Sequence, residues 1–412
     1  MKFNVQTVKN GCRLGHLTEF KRNVENVVAT PMCLLYTRGG SAPHLTLDML
    51  KKIERVPAIV QLPMTLLADQ NEIVEANGGG IGKFISMKDR ILYCSLQDPT
   101  AVVAPGYNDK NGVSIWGRGG RVRLEPEDYV KVQEIFQPDF YQCLSDSDVN
   151  ESSSRKRLQK SHERTINFLD MCLRKHQESE NLDGVGILGV IVGGYDTEAR
   201  IQSARQTATR PVSGFVIEGF HSYGGDCESF QISDVKELML EFMKYLPDEK
   251  PRVMHGIWRP DQVVNAVECG VDIFDSSYAY VVTERRGALV FNHNYKNKNI
   301  SNTPQHDDIE NGDSSTHQIN PFEIDLKDSR YFADFSPLVS DCDCYTCRTH
   351  TRSYIHHLIN TSEMLAGVLL MMHNFHHYFA FFDSLRTALR DEEFESLKAI
   401  IEQQIPKTDT NS

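Results

Sequence analysis

Three cysteines stand within six residues near the end of the chain, in Cys342-Asp343-Cys344-Tyr345-Thr346-Cys347. Thiolates at C-x-C-x-x-C spacing in a tight turn can converge on one ion. The stretch that follows, SYIHHLINTSEMLAGVLLMMHNF, carries Ile355, Leu358, Leu365, Val368, Leu369 and Met372 at three- and four-residue steps, which predicts a helix. A histidine late on that helix can fold back over the cysteine turn as a fourth ligand. His373 is one candidate, and on spacing alone His350, His356, His357, His376 and His377 compete with it. A Cys₃His set is closed and tetrahedral, which suits one structural Zn²⁺; a catalytic zinc keeps a position open for water. Unconnected buried thiols are the alternative, and the crowding of three into so short a turn argues against it.

The rest of the chain must supply the scaffold. Its 412 residues suffice for one large barrel or two to three ordinary domains, and 40% hydrophobic with 24% charged residues describe a globular protein. A net charge of −12 excludes a protein that grips nucleic acid over its whole surface, because phosphate contacts need Lys and Arg; a local basic patch remains compatible. Ten cysteines without an apolar leader in MKFNVQTVKNGCRLGHLTEF point to a reducing compartment, where clustered thiols bind metal. No apolar run has membrane-spanning length. The expectation is a cytosolic protein.

From residue 165 onward, short apolar strands alternate with amphipathic helices. The strands are read at 185–192, 214–220, 252–257 and 271–275, and the helices in INFLDMCLRKHQ, TEARIQSARQTA, ISDVKELMLEFMKYL and PDQVVNAVECG. This is the pattern of βα units on a parallel sheet. Upstream, NVVATPMCLLYT, PAIVQLPMTLL, Ile91-Leu92-Tyr93-Cys94 and FYQCL read as further strands, with a helix at DYVKVQEIFQ. The glycine-rich Asn77–Gly82 stretch lacks the Lys-Ser/Thr of a phosphate cradle and reads as a turn. No strand–helix turn carries G-x-G-x-x-G, so a (β/α)₈ TIM barrel is preferred to a dinucleotide fold. Sites in such barrels lie at the C-terminal ends of the strands, which singles out His255, Asp275 and Glu218.

The resulting organisation is a barrel body over 1–292, a polar insertion over 293–328, a zinc-binding subdomain with C-terminal helices over 329–405, and a disordered tail over 406–412. A second polar, Ser-rich insertion is expected inside the body at about 145–165. Its basic run RKRLQK is either a solvated surface or a contact for RNA phosphates.

The C-x-C-x-x-C motif, followed by Y-I-H-H-L and by the His of an H-N pair at His373, resembles the zinc subdomain of the tRNA-guanine transglycosylases. Membership implies a (β/α)₈ barrel that exchanges the wobble guanine of certain tRNAs for a queuine-type base through a covalent aspartyl intermediate. It also selects His373 as the fourth zinc ligand, beside Cys342, Cys344 and Cys347. The stretch Gly270-Val271-Asp272-Ile273-Phe274-Asp275 is similar to the family's G-I/V-D-x-F-D, so Asp275 holds the nucleophile's position.

The remaining positions depart from the family pattern. Cys94-Ser95-Leu96-Gln97 stands where D-S-G-G-F/Y-Q should supply the second acid/base, and Ser145-Asp146 replaces the base-reading carboxylate pair. The G-I-Q-Q-G turn becomes Gly189-Val190-Ile191-Val192-Gly193, and the G-G-L turn becomes Glu218-Gly219-Phe220. P-T-R-x-x-R after the nucleophile becomes Tyr280-Val281-Val282-Thr283-Glu284-Arg285-Arg286. Losing general acid/base assistance costs on the order of 10²–10⁴-fold, and losing polar groups that read the purine edge removes further powers of ten in specificity.

This combination resembles the family's non-catalytic accessory subunits, with Asp275 vestigial. The resemblance implies a heterodimer with a catalytic subunit, contact with tRNA through the complex, and peripheral association with the mitochondrial outer membrane. Two other readings are an active transglycosylase using Asp275 as nucleophile, and a zinc-knuckle RNA-binding module without such a partner.

Overall fold

The computed structural model describes residues 1–117, 119–296 and 320–406. Much of the expected 293–328 insertion and nearly all of the expected tail lie outside them. The chain divides into two compact units, the first built from 1–42, 57–258 and 265–277, the second from 43–56, 259–264 and 278–412.

In the first unit, the strands Met32–Tyr36, Ile59–Pro63, Ile91–Ser95, Phe140–Gln142, Gly186–Ile191, Gly214–Ile217, Arg252–Val253 and Ile273–Asp275 form a closed barrel. All neighbours run parallel, and the eighth strand pairs with the first at Ile273/Met32, Phe274/Cys33 and Asp275/Leu34. The strands are short, and nearly every residue on them is buried from both faces, which is why they read as continuous apolar runs. An antiparallel sheet of Lys2–Lys9, Cys12–Thr18 and Val28–Thr30 precedes the barrel. Its Phe3 and Leu17, with Phe20, join Met32, Ile59, Ile91, Val253 and Ile273 in one apolar core. Two carboxylates at strand starts tie that end together. Asp139 accepts from Arg22 at 2.7 Å and from the Leu92 amide at 2.8 Å, and Asp272 accepts from the Arg252 amide at 2.8 Å.

One local feature of this unit differs from the sequence expectation, and the glycine-rich turn agrees with it. The polar segment at 145–165 is only partly a loop, because the helix Arg155–Glu178 begins inside it. Ser154 caps this helix by accepting from the Arg157 amide. Its buried face includes Ser161, His162 and Thr165, whose polarity hides the period; Ser161 Oγ donates to Asp146 O at 2.5 Å and Thr165 Oγ1 accepts from the Asp146 amide at 3.0 Å. Of the basic run, Arg157 turns inward to Asp146 at 2.7 Å while Arg155, Lys156 and Lys160 stay exposed. The glycine-rich stretch is a turn with Gly78, Gly79 and Gly80 at φ of 65°, 81° and 73°, and the short helix Gly80–Phe84 starts directly from it.

The second unit holds the strand pair Gly287–Leu289 and Glu323–Asp325 and the helices Tyr345–Thr349, Arg352–Asn360, Met364–Arg390 and Phe394–Gln403. The single helix expected after the cysteines is two helices. They break where the Glu363 amide reaches back to Leu358 O at 2.9 Å and Ser362 sits at φ 58°, a left-handed helix stop. Ala288, Ile324, Leu338, Ile355, Leu358, Leu369 and Leu370 form this unit's core. Among the described residues, no helix is long and apolar enough to cross a membrane.

Candidate functional site

The second unit assembles the cysteine cluster. Cys344 occupies the N-cap of the helix Tyr345–Thr349, and its sulfur accepts from the Cys347 amide at 3.3 Å. Thr346, fully buried, donates to Leu369 O at 2.7 Å and so fastens the turn to the helix Met364–Arg390. That helix brings His373 over the sulfurs. Its Nδ1 lies 3.8, 3.5 and 3.3 Å from the sulfurs of Cys342, Cys344 and Cys347, and all four donor atoms lie within 4.8 Å of one another. A tetrahedral ion with Zn–S near 2.3 Å and Zn–N near 2.0–2.1 Å separates nitrogen from sulfur by about 3.6 Å. The His373 nitrogen therefore already stands from the three sulfurs at about the spacing that a metal of this size requires.

The second ring nitrogen of His373 is 2.8 Å from Leu289 O. A carbonyl can only accept, so Nε2 carries the proton and Nδ1 presents its lone pair to the sulfurs. The other histidines are occupied elsewhere. His356 contacts Leu326 O and Asn360, His376 contacts Asp343 Oδ1, and His377 contacts Phe291 O. His350 stacks on Tyr354 at 5.3 Å, with His357 on the same ring at 6.5 Å.

The C-terminal mouth of the barrel, in the first unit, gathers the other candidates. Asp275 ends the eighth strand and is fully buried. Its Oδ1 accepts from the amide of Ser277 at 2.9 Å and from that residue's hydroxyl, and its Oδ2 accepts from the Gly256 amide at 2.6 Å. Burial raises its pKa, and these donors oppose the rise. His255 lies on a ring stack with Tyr93 at 5.7 Å, and among the described residues neither its Nε2 nor the Tyr93 hydroxyl has a hydrogen-bond partner. Burial pushes the His255 pKa down to about 3 and that of His221 to about 4, so both rings are neutral at pH 7. Cys94 is fully buried on the third strand, and burial raises its thiol well above the ordinary range. Val190 and Val192 pack into the barrel core.

Three further residues belong to this mouth and were not singled out from sequence. Asp98, 2% exposed, accepts from Tyr36 Oη at 2.8 Å and from the amide and hydroxyl of Thr100, both at 2.9 Å. Its signal was its place just past the third strand. Gln142 and Tyr223 both donate to Glu218 Oε1, at 2.7 and 2.9 Å, while Ser145 donates to Oε2 at 2.6 Å. The Glu218 side chain thus fills the space next to Ser145. The segment from Tyr278 onward serves the second unit internally. There Arg285 pairs with Glu323 at 2.5 Å, and Thr283 accepts from Asn374 at 2.9 Å.

A family model described as Queuine tRNA-ribosyltransferase matches residues 9–407. The Queuine tRNA-ribosyltransferase accessory subunit 2 of Xenopus tropicalis is 43% identical over 418 residues, covering 98% of this chain and all of the relative. The human protein of the same name is also 43% identical over 418 residues, with the same coverage. That of Culex quinquefasciatus is 36% identical over 416 residues, covering 99% of this chain and 93% of the relative. A closed parallel barrel, a Cys/His cluster near the C-terminus and similarity along nearly the whole sequence agree: this chain belongs to the queuine tRNA-ribosyltransferase family.

Proposed function

We propose that this chain is the non-catalytic accessory subunit of a heterodimeric queuine tRNA-ribosyltransferase, which exchanges guanine for queuine at the wobble position of its tRNAs. The carrying observation is the state of the barrel mouth. Asp275, Asp98 and Glu218 are buried and hydrogen-bonded to this chain's own groups. Base exchange needs a free carboxylate to attack the anomeric carbon, a second group to move protons, and polar groups to read the base. Cys94 and Val192 supply neither of the last two, and the Ser145 hydroxyl is committed to Glu218 at 2.6 Å. Asp275 is vestigial in this reading. Its retained place at the end of the eighth strand is what favours the second reading, an active transglycosylase with Asp275 as nucleophile.

The subunit then acts by forming the complex and positioning tRNA. Cys342, Cys344, Cys347 and His373 hold one structural Zn²⁺, which supplies cross-linking of the cysteine turn to the long helix and no open coordination position. An exposed aromatic surface on the same unit, with Phe332 and Phe335 at 75% and 76% exposure lining one hollow with Tyr354, is the docking face for the catalytic subunit. Any association with the mitochondrial outer membrane is peripheral and rests on the family resemblance. The experiment is co-elution of this chain with the catalytic subunit, with Phe332→Ser and Phe335→Ser introduced together. The intact pair should co-elute in equal amounts and the double variant should separate. Failure of the unmodified chains to associate contradicts the proposal.

A further inference from the structure

The network around Glu218 has the form of a binding site whose ligand is covalently attached. Glu218 follows the sixth strand directly and is 4% exposed. Its carboxylate accepts from Gln142 Nε2 at 2.7 Å, Tyr223 Oη at 2.9 Å and Ser145 Oγ at 2.6 Å. All three donors are neutral, and they come from two separate βα connections, the ends of the fourth and sixth strands.

Two of the donors, Gln142 and Tyr223, are held independently of the group they bind. Gln142 Oε1 accepts from the Leu96 amide at 3.2 Å, which fixes the amide orientation and leaves Nε2 to face Glu218. The Gln142 carbonyl accepts in turn from Tyr129 Oη at 2.5 Å. Tyr223 sits at φ 63°, a left-handed backbone that is disfavoured for a bulky residue, and its ring packs edge-on against His221 at 5.0 Å. Gly224 follows at φ 57°, where a Cβ would come within 2.6 Å of Val102. The loop is thus constrained to present the phenol to the carboxylate.

We propose that the barrel mouth contains a preformed receptor for a small monocarboxylate, and that Glu218 is its tethered occupant, filling the site permanently. This deepens the reading of the chain as non-catalytic and rests on it for its meaning: the pocket is closed by an added side chain as well as disarmed by lost ones. Glu218→Ala removes Cγ, Cδ and both carboxylate oxygens, which are the heavy atoms of one acetate ion. Free acetate should therefore replace what the substitution deletes. Propionate carries an extra methyl, and acetamide replaces one accepting oxygen with an NH₂ that faces donors left without an acceptor, so both fit less well.

The test uses the full chain with sodium acetate, propionate or acetamide at constant ionic strength against sodium chloride. Glu218→Ala should lower Tm by about 3–6 °C. Acetate should restore most of that loss saturably in the variant and leave the unmodified chain unchanged. Adding Tyr223→Phe should weaken acetate binding at least about tenfold. An unchanged Tm in Glu218→Ala, equal acetate effects on both proteins, or acetamide acting as well as acetate would overturn the proposal. Where Glu218→Ala folds poorly, refolding yield in acetate against chloride reads the same property, and equal yields count against it. Guanine exchange by the variant alone would instead refute the accessory reading and leave the acetate result standing on its own.

Discussion

Substituting His255 by Phe should flatten the pH dependence of barrel stability by an amount that the structure fixes. The His255 ring is buried, stacks on Tyr93, and has an Nε2 without a hydrogen-bond partner among the described residues, so a phenyl ring can take its place with little loss. Burial lowers its pKa from 6.5 to about 3 in the folded chain. Between those values the unfolded chain binds the proton and the folded chain does not. Stability is therefore complete above the unfolded pKa and falls as pH drops below it. At pH 5.5, one unit under the unfolded value, the loss from this ring is about 1.4 kcal/mol relative to pH 7.5. His221, lowered to about 4, loses a similar amount, while Asp272, raised to about 6 by burial, works in the opposite direction. Both remain in the variant and cancel on subtraction, as does any acid-driven loss of metal. Both tryptophans, Trp116 and Trp258, belong to the barrel unit, so urea titrations followed by tryptophan fluorescence report this unit. The fall in unfolding free energy between pH 7.5 and 5.5 should be smaller in His255→Phe by about 1.4 kcal/mol. Equal falls in the two proteins would mean that the ring reaches solvent and that the mouth is open, against the reasoning above.

The metal centre gives two further expectations. The purified chain should carry about one zinc ion by elemental analysis, and Cys344→Ser should lose it together with part of its thermal stability. Asn374, fully buried beside His373, accepts from the Leu289 amide at 2.8 Å and donates to Gly287 O at 3.1 Å. Asn374→Ala leaves both backbone groups without that partner and should cost about 2–4 kcal/mol in chemical unfolding, with faster zinc release to a chelating dye.

The parts legible in the sequence were those whose physics is local. Val185–Val192 and the runs at 214–220 and 271–275 announced barrel strands because burial on both faces demands unbroken apolar residues. The cysteine turn announced itself because its three sulfur donors are neighbours in the chain. His373 needed more than spacing, since six histidines competed and only the packing of Met364–Arg390 against the turn brings one ring to the sulfurs. The start of Arg155–Glu178 was hidden because its inner face is built from Ser161, His162 and Thr165, polar residues that find partners in the fold. The Glu218 network was beyond reach for a different reason: its donors Gln142 and Ser145 lie 76 and 73 residues away, on a separate strand connection. Only closure of the barrel makes them neighbours.

The central claim is tested most directly by exchange of radiolabelled guanine or queuine into cognate tRNA. Four samples suffice: this chain, the catalytic subunit, the two together, and the two together with Asp275→Asn in this chain. The account predicts exchange only in the two mixtures, at the same rate with and without the substitution. Exchange by this chain alone, abolished by Asp275→Asn, would contradict it and make Asp275 a working nucleophile.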